Sequence, residues 1–175
     1  MLRLRRAGPE PARAPVTVRA ARRDDAEAVA RLARLLSLSD GARPSRFTAE
    51  AFLRDGFGDS PAFRALVAEI PGAFGPEVVG YALYYPGYDT DRATRGVYLA
   101  DLYVLETRRR GGVGAALVRG VARTCRDGGG SWMFWSVLKR NRVARRFYRS
   151  LAPELRDIVV CAAFGTGFER LAGGE

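Results

Sequence analysis

The chain contains no histidine, and this absence removes whole classes of catalytic machinery. Hydrolase triads and most catalytic zinc sites use imidazole as a base or a ligand, so neither is expected here. Cysteine is scarce as well, because Cys125 and Cys161 are the two present and they lack the paired spacing of a metal site. We therefore expect no bound metal, and we expect a reducing compartment, the cytoplasm.

Long apolar runs are also missing. None approaches the roughly 20 residues that cross a bilayer, so no membrane partner is expected. Residues 1–15 are partly basic and lack the apolar core of a signal peptide. We interpret 1–15 as a flexible basic N-terminal arm, with contact to nucleic acid or a partner protein as the alternative. Residues 16–175 have the length of a single domain.

Lysine is nearly absent, since Lys139 is the only one and arginine supplies the other basic residues of a chain with a formal net charge of +10. So uniform a preference for arginine over lysine indicates a compositional bias, in which arginine fills most of the solvated basic positions. Basic surfaces also attract nucleic acid, anionic lipids or anionic metabolites. No nucleic-acid-reading motif or aromatic and basic platform is evident, so we do not expect a nucleic-acid partner.

What the chain does contain is a strand that ends in arginines and spaced glycines. Residues 98–105 are rich in aromatic and branched side chains at both odd and even positions. This pattern is typical of a strand that is buried on both faces. Three arginines and three glycines follow, and apolar residues then recur every four positions from Val113, as in an amphipathic helix. The N–H groups of a helix start, with arginines beside them, stabilise phosphate oxygens. The sequence therefore predicts an anion site between this strand and this helix.

Two familiar phosphate loops do not fit the turn. A Walker loop needs Lys and then Ser or Thr after its last glycine, but alanine follows Gly114. The dinucleotide pattern starting at Gly112 needs Gly or Ala where the chain has Leu117. The remaining pattern, R-R-G-G-V-G from Arg109, fits R/Q-x-x-G-x-G/A and resembles the acetyl-CoA pyrophosphate loop of the GNAT family of N-acetyltransferases. An ordinary glycine turn at a helix start is the alternative.

Further segments resemble this family in the same order along the chain. They are VTVR with the helix after it, LRDGFG, EVVGYALYYPGYD, YLADLYV, and NRVARRFYRSL, which fits N-x-x-x-x-x-F-Y. The LRDGFG segment is most similar to the diamine (spermidine/spermine) acetyltransferase branch. The resemblance implies an enzyme that transfers the acetyl group of acetyl-CoA to a primary amine by direct attack in a ternary complex. It also implies a homodimer, because dimers are common in that branch.

The order of elements predicts an α/β fold with a mixed sheet. We expect strands at 16–20, 64–70, 78–85, 96–104, 132–138, 155–161 and 164–171, and helices at 24–38, 48–55, 112–127 and 142–150. Helices on both faces of a part antiparallel, part parallel sheet follow from this order. The resemblance implies the GNAT fold, a central sheet of six to seven strands whose strands four and five splay apart to admit the thioester arm.

The resemblance also assigns residues to the co-substrate acetyl-CoA. The backbone of strand four would bind the pantetheine arm and polarise the thioester carbonyl, and N–H groups of the turn would bind the pyrophosphate. A further segment after strand five would contact CoA as well. The expected cofactor-binding residues are Leu102, Tyr103, Val104, Arg109, Arg110, Gly111, Gly112, Val113, Gly114, Ala115, Asn141, Arg142, Val143 and Ala144.

Tyr148 is the expected catalytic residue. It matches the family tyrosine that lies near the CoA sulfur and donates a proton to the leaving thiolate. Direct transfer needs an amine, a stabilised oxyanion and this proton, and it needs no covalent enzyme intermediate. Packing of Phe147 and Tyr148 between the helix and the sheet is the alternative.

The acceptor side departs from the diamine branch. Ala100 stands where that branch has an acidic residue, and a methyl group can bind neither a proton nor a cation. Asp101 is the expected substrate-side carboxylate, acting through water, with a buried carboxylate bonded to the backbone as the alternative. Asp40 falls near an acidic substrate residue of the branch, unless it is a solvated loop residue. Asp89 and Asp91 could attract a cationic amine or be ordinary turn residues.

Further differences bear on the identity of the amine. Arg43 and Arg46 occupy a stretch where the branch is rich in acids, and they disfavour a polycation. Trp135 is expected to line the acceptor pocket with Trp132, although core packing is the default for at least one of them. The candidate acceptors are a polyamine or diamine, an amino-acid-like amine, an aminoglycoside, or a protein N-terminus or lysine. An acetyl-CoA-binding regulatory or interaction domain without acceptor turnover is the alternative function.

Overall fold

The computed structural model describes residues 15–173. Its strands and helices are β1 Thr17–Ala20, α1 Ala26–Ser39, α2 Ala49–Phe57, β2 Arg64–Gly72, β3 Gly75–Asp89, β4 Thr94–Val104, α3 Val113–Asp127, β5 Gly130–Trp135, α4 Arg142–Arg149 and α5 Thr166–Leu171. The predicted N-terminal arm lies outside the described residues except for its last position. The chain divides into two compact units, one that ends at Leu138 and one that begins at Lys139.

The first unit is built on one mixed sheet in the order β1-β2-β3-β4-β5. Neighbouring strands are antiparallel, except that β4 and β5 are parallel. Two parallel strands cannot be joined by a tight turn, and α3 supplies the crossover between them. The predicted α/β class, a mixed sheet flanked by helices, is confirmed.

Helices cover both faces of the sheet because side chains alternate along its strands. On one face, α1 and α2 pack on Tyr81 and Leu83 of β3, and Phe52 of α2 is fully buried there. On the other face, Gly120 of α3 lies so close to β2 that a Cβ would touch Leu66. We call these the α1/α2 face and the α3 face.

The second unit contains α4 and α5, and two predictions about it were wrong. Within the described residues, 155–161 has no regular secondary structure, and α5 occupies most of the strand predicted at 164–171. The sheet of the described chain therefore has five strands, where six to seven were predicted. Gly165, with a φ of 52°, directly precedes α5, and the Glu-Arg-Leu run after Phe168 favours a helix.

A charge network joins β1, β2 and the start of α1. Arg19 donates to both oxygens of Asp25, at 2.7 and 2.9 Å, and to Glu69 at 2.9 Å. Asp25 is buried, and it also accepts the backbone N–H of Arg22 at 2.6 Å. Burial by itself raises the pKa of Asp25, but the hydrogen bonds from Arg19 and from the Arg22 amide outweigh it and lower the pKa. The ionised form of Asp25 therefore stabilises the fold.

Replacing Asp25 by Asn should lower the free energy of unfolding at pH 7 by about 3 kcal/mol, because it removes the buried carboxylate that is the main partner of the part-buried Arg19 guanidinium. Urea unfolding measures this loss. The folded pKa of Asp25 lies below the unfolded one, so its contribution is present above the unfolded pKa and is lost as the pH falls through the folded pKa. Asp55→Asn, which removes an exposed pair with Arg54, should cost much less, because solvent screens that pair. Equal losses in the two variants would contradict a structural role for Asp25.

Candidate functional site

β4 and β5 separate before β4 ends. Their paired residues run from Arg95 opposite Gly130 to Leu99 opposite Trp135. β5 stops at Trp135, whereas β4 continues to Val104, so the ladder between the two strands ends with residues 100–104 on an open edge. Peptide groups on such an edge can bond the amides of an extended ligand. The separation predicted for strands four and five is thus present.

Ala100 is the extra residue of a β-bulge where this edge begins. Asp101 is opposite Leu83 of β3, and Leu99 is opposite the next β3 residue, Tyr84, so the register passes over Ala100. The side chain of Ala100 is exposed. A bulge disrupts the ladder locally and redirects peptide groups. The bulge therefore redirects a backbone N–H of β4 near the point where β4 and β5 separate.

The loop between β4 and α3 is braced by Arg109. Its Nε donates to the carbonyl oxygen of Val104 at 3.0 Å, and one Nη donates to Glu106 at 3.2 Å. The guanidinium carbon also lies 5.3 Å from the centroid of the Tyr103 ring, a cation–π contact. Because its side chain is held against β4, Arg109 shapes the loop and leaves anion binding mainly to backbone amides.

Two residues of the loop have a positive φ, 62° at Arg110 and 82° at Gly112. Gly111 between them lies outside that region, and alternation of this kind turns successive N–H groups toward one concavity, a geometry that binds anions. Gly112 precedes α3, whose first turn has no side-chain cap, and the space where a Cβ at Gly112 would project is open. The loop and the uncapped N–H groups of α3 therefore fit a diphosphate.

Asp101 lies on the α1/α2 face beside a phenol and a second carboxylate. The Tyr81 hydroxyl donates to Asp101 Oδ2 at 2.9 Å. Burial raises the pKa of Asp101, the negative charge of Asp40 raises it further, and the hydrogen bond from Tyr81 opposes both. Asp40 caps the C-terminus of α1, so residues from two distant elements come together here. A carboxylate in this setting is a stronger base than an exposed aspartate and attracts a cation more strongly.

The aromatic side chains of β5 divide between the two faces. Trp132 and Phe134 contact each other, with ring centroids 5.3 Å apart, and Trp132 lies over Gly87 of β3. Gly87 has the same parity as Leu83, so this pair is on the face of Asp101. Trp135 follows Phe134 directly and points to the α3 face. The structure therefore does not bring Trp135 beside Asp101, and sequence reasoning missed Phe134, although the Trp-x-Phe alternation could have indicated it.

In the second unit, α4 starts at a side-chain cap. Asn141 Oδ1 accepts the backbone N–H of Ala144 at 3.0 Å. Arg145 forms two hydrogen bonds with Glu154, at 2.9 and 2.8 Å, which hold the chain after α4 against the helix. Asn141 and Ala144 of the predicted CoA-contacting segment thus define the start of a well-anchored helix.

The last turn of α4 carries Tyr148. The side chain is half-buried, and its ring centroid lies 5.1 Å from that of Phe147. Arg142 and Val143 of the first turn are exposed. The phenol and the predicted CoA-contacting residues therefore belong to one short helix.

A cleft of about 410 Å³ lies apart from these residues, lined among others by Arg19, Phe57, Arg64 and Arg123. None of the predicted site residues lines it. Over residues 15–173, no group of three or more His, Cys, Asp or Glu side chains is placed to hold a metal ion. The same part of the chain has no helix of the length and apolarity that a membrane span requires.

Comparison with known proteins connects these features to one family. The sequence model of the acetyltransferase (GNAT) family matches residues 30–152. A thialysine N-epsilon-acetyltransferase of Bos taurus is 39% identical over 147 residues, which cover 79% of this chain and 84% of that protein. The spermidine/spermine N(1)-acetyltransferase-like protein 1 of Homo sapiens is 33% identical over 106 residues, 59% of this chain and 15% of that protein. An integron cassette protein from the V. cholerae mobile metagenome shares the fold, with a TM-score of 0.74 and 20% identity over 90% of this chain and 97% of that one.

Proposed function

This chain belongs to the acetyltransferase (GNAT) family, and we propose that it acetylates the primary amine of a small cationic acceptor held beside Asp101 and Asp40. It is an acetyl-CoA-dependent N-acetyltransferase, as the family match and the N-acetyltransferase relatives together establish. The observation that carries the acceptor assignment is the Asp101 carboxylate on the α1/α2 face, bonded to the Tyr81 hydroxyl at the point where β4 leaves β5 and within reach of the charge of Asp40. The thialysine and spermidine/spermine relatives, named for amine substrates, support the same class of acceptor.

We assign the donor to the open edge of β4 and the loop after it. Peptide groups of Leu102, Tyr103 and Val104 would bond the pantetheine amides. N–H groups of residues 110–115 would bond the diphosphate, and Arg109 would keep the loop in shape. Residues 141–144 would contact CoA from the start of α4. Acetyl-CoA supplies the activated acetyl thioester.

The chemistry then falls to the residues of the acceptor side and to Tyr148. Asp101 would hold the ammonium group of the acceptor and take its proton, directly or through a water. As the C–N bond forms and the C–S bond breaks, the N–H near the bulge at Ala100 would donate to the carbonyl oxygen. Tyr148 would give its hydroxyl proton to the thiolate. The nitrogen loses two protons, of which one replaces that of Tyr148 and one reaches solvent from Asp101.

Release of free thiol from acetyl-CoA tests this function. The acceptors should include a diamine, a lysine-like amino acid, an aminoglycoside and a lysine-containing peptide. We expect turnover with the small amines. Binding of acetyl-CoA without turnover of any of these amines would instead favour a regulatory domain.

Replacing Gly112 by Val should raise the KM for acetyl-CoA by at least about tenfold. A branched side chain is strained at a φ of 82°, and its bulk would project into the open space where the diphosphate binds. The matched control is Gly129→Val, because Gly129 has a φ of 79° and open space but lies beyond the other end of α3. It should lose stability and keep its KM. An unchanged KM in Gly112→Val would mean that the diphosphate binds elsewhere.

We further propose that the enzyme is a cytoplasmic homodimer in which residues 16–175 act as one N-acetyltransferase domain. Both cysteines, Cys125 and Cys161, are free thiols, as is usual in a reducing compartment. Several apolar side chains near the C-terminus are exposed, including Val159 and Phe164, and association of two chains would cover them. The family match runs across the boundary between the two units. Light scattering should give twice the mass of one chain.

A further inference from the structure

Four aromatic side chains form a continuous surface on the α1/α2 face. Tyr85 and Tyr98 stack across β3 and β4, with ring centroids 5.2 Å apart. Phe134 of β5 is opposite Tyr98 and contacts Trp132. We call Tyr85, Tyr98, Trp132 and Phe134 the aromatic platform.

Two glycines seat the indole of the platform. Gly87, Gly96 and Trp132 are opposite one another on β3, β4 and β5, and a Cβ at either glycine would overlap the indole. The ring therefore lies across two bare backbones, and its N–H donates to the carbonyl oxygen of Thr94 at 3.2 Å. The register passes over Ser131, which turns Trp132 onto this face. The indole consequently has a fixed orientation.

The platform continues directly into the acceptor carboxylates. Leu83 is opposite Asp101, and Tyr85 is opposite Tyr98. Because Leu83 and Tyr85 are two residues apart on one strand face, Asp101 and Tyr98 lie about 7 Å apart along the sheet. The row of Tyr98 and Phe134 is also the last row on this face before β4 and β5 separate. An amine nitrogen at Asp101 therefore has the separating strands on one side and the platform on the other.

The row of the platform nearest Asp101 is open to solvent, since Tyr85 is 40% and Phe134 45% exposed. The charges beyond it do not favour a second ammonium group. Asp89, at the end of β3, already accepts from the Arg92 guanidinium at 2.6 Å and from the Arg92 backbone N–H at 3.0 Å. This face thus has the Asp101 carboxylate at one end, flat apolar groups beside it, and at the far end a carboxylate that is already paired with an arginine.

We propose that the aromatic platform binds the body of the acceptor, and that the preferred acceptor is a small monocationic amine carrying an aromatic or other flat apolar group. Its ammonium group binds at Asp101, and the flat group stacks on Trp132 and Phe134. Ring stacking adds to the burial of apolar area. A linear polyamine instead leaves its second ammonium group on an exposed surface beside the Asp89–Arg92 ion pair, where cation–π attraction is weak. This assignment rests on the proposed acetylation at Asp101.

Matched acceptors test the proposal. The kcat/KM for 2-phenylethylamine should exceed that for propylamine, and that for 1,4-diaminobutane, by at least about tenfold. Trp132→Ala and Phe134→Ala should each lower the ratio of 2-phenylethylamine to propylamine by about fivefold, with an unchanged KM for acetyl-CoA. Phe74→Ala removes a fully exposed aromatic ring from the β2–β3 turn and should leave the ratio unchanged. Because Phe134 is partly exposed, its variant decides the matter if Trp132→Ala does not fold.

A preference ratio near one, or a ratio unchanged in both platform variants, would overturn the proposal while leaving N-acetylation intact. Failure of every amine to turn over would count against the proposed function. In that case, binding of 2-phenylethylamine to the platform tests the present proposal. The chain has two tryptophans, so in Trp135→Phe the fluorescence of Trp132 reports binding of 2-phenylethylamine without turnover. No fluorescence change would overturn the proposal. So would a halved mass of Trp132→Ala in solution, which would make the platform an interface between two chains.

Discussion

Replacing Asp101 by Asn should lower kcat/KM for the amine acceptor by about a hundredfold. The amide keeps nearly the same volume and can still accept the hydrogen bond from Tyr81, but it can neither take a proton nor hold an ammonium group by charge. The KM for acetyl-CoA should not change, because the proposed donor contacts are made by backbone groups. Steady-state kinetics with the best amine of the acceptor screen measures both parameters.

The pH profile identifies the cause of that loss. Burial and the charge of Asp40 raise the pKa of Asp101, so wild-type kcat/KM should fall on acidification through a pKa above the usual aspartate range. Asp101→Asn should lack this acidic limb. Asp127→Asn, which changes an exposed carboxylate paired with Arg126, should keep both the rate and the profile. A wild-type rate and profile in Asp101→Asn would show that Asp101 is not the base.

Stability separates a catalytic Asp101 from a structural one. A carboxyl whose pKa is raised in the folded state binds protons more tightly when folded, so its ionisation costs stability as the pH rises above the unfolded pKa. Asp101→Asn removes that cost, and we expect its free energy of unfolding at pH 7 to equal or exceed that of the wild type. Asp25→Asn, where the folded pKa is lowered, should behave in the opposite way.

Replacing Tyr148 by Phe should lower kcat by about a hundredfold with little change in the KM for acetyl-CoA. The ring and its contact with Phe147 remain, so packing is retained and the hydroxyl alone is lost. Without a proton donor, the thiolate must leave as an anion, which slows C–S cleavage. Rates of thiol release under saturating acetyl-CoA measure the effect.

A matched Tyr→Phe change supports the interpretation. Tyr88 is 61% exposed near the end of β3, and Tyr88→Phe should retain the wild-type kcat. If the role of Tyr148 were packing alone, Tyr148→Phe would also retain it. A kcat within threefold of the wild type, with an unchanged pH profile, would contradict the proposed proton donor.

Local signals made the strand, turn and helix of the proposed donor side predictable. The strand at 96–104, the arginine and glycine turn and the helix at 112–127 agree with β4 and α3 to within two residues. Apolar periodicity, a glycine with a positive φ and an uncapped helix start all depend on residues adjacent in the chain. The predictions of strands at 155–161 and 164–171 were wrong. An apolar run forms a strand only if a neighbouring strand pairs with it, and the residues of the run itself do not indicate whether such a partner exists.

The sequence by itself determined the family and located the loop that is proposed to bind the acetyl donor, because both depend on short motifs whose parts lie close together in the chain. Only the tertiary structure placed the residues of the proposed acceptor side on their faces of the sheet. The bulge at Ala100 sets the face of Asp101, and the residue passed over at Ser131 sets the face of Trp132. A shift of one residue in the register between two strands moves a side chain to the other face of the sheet. The register is set by the pairing of strands that are distant in the chain, and the alternation within one strand does not reveal it.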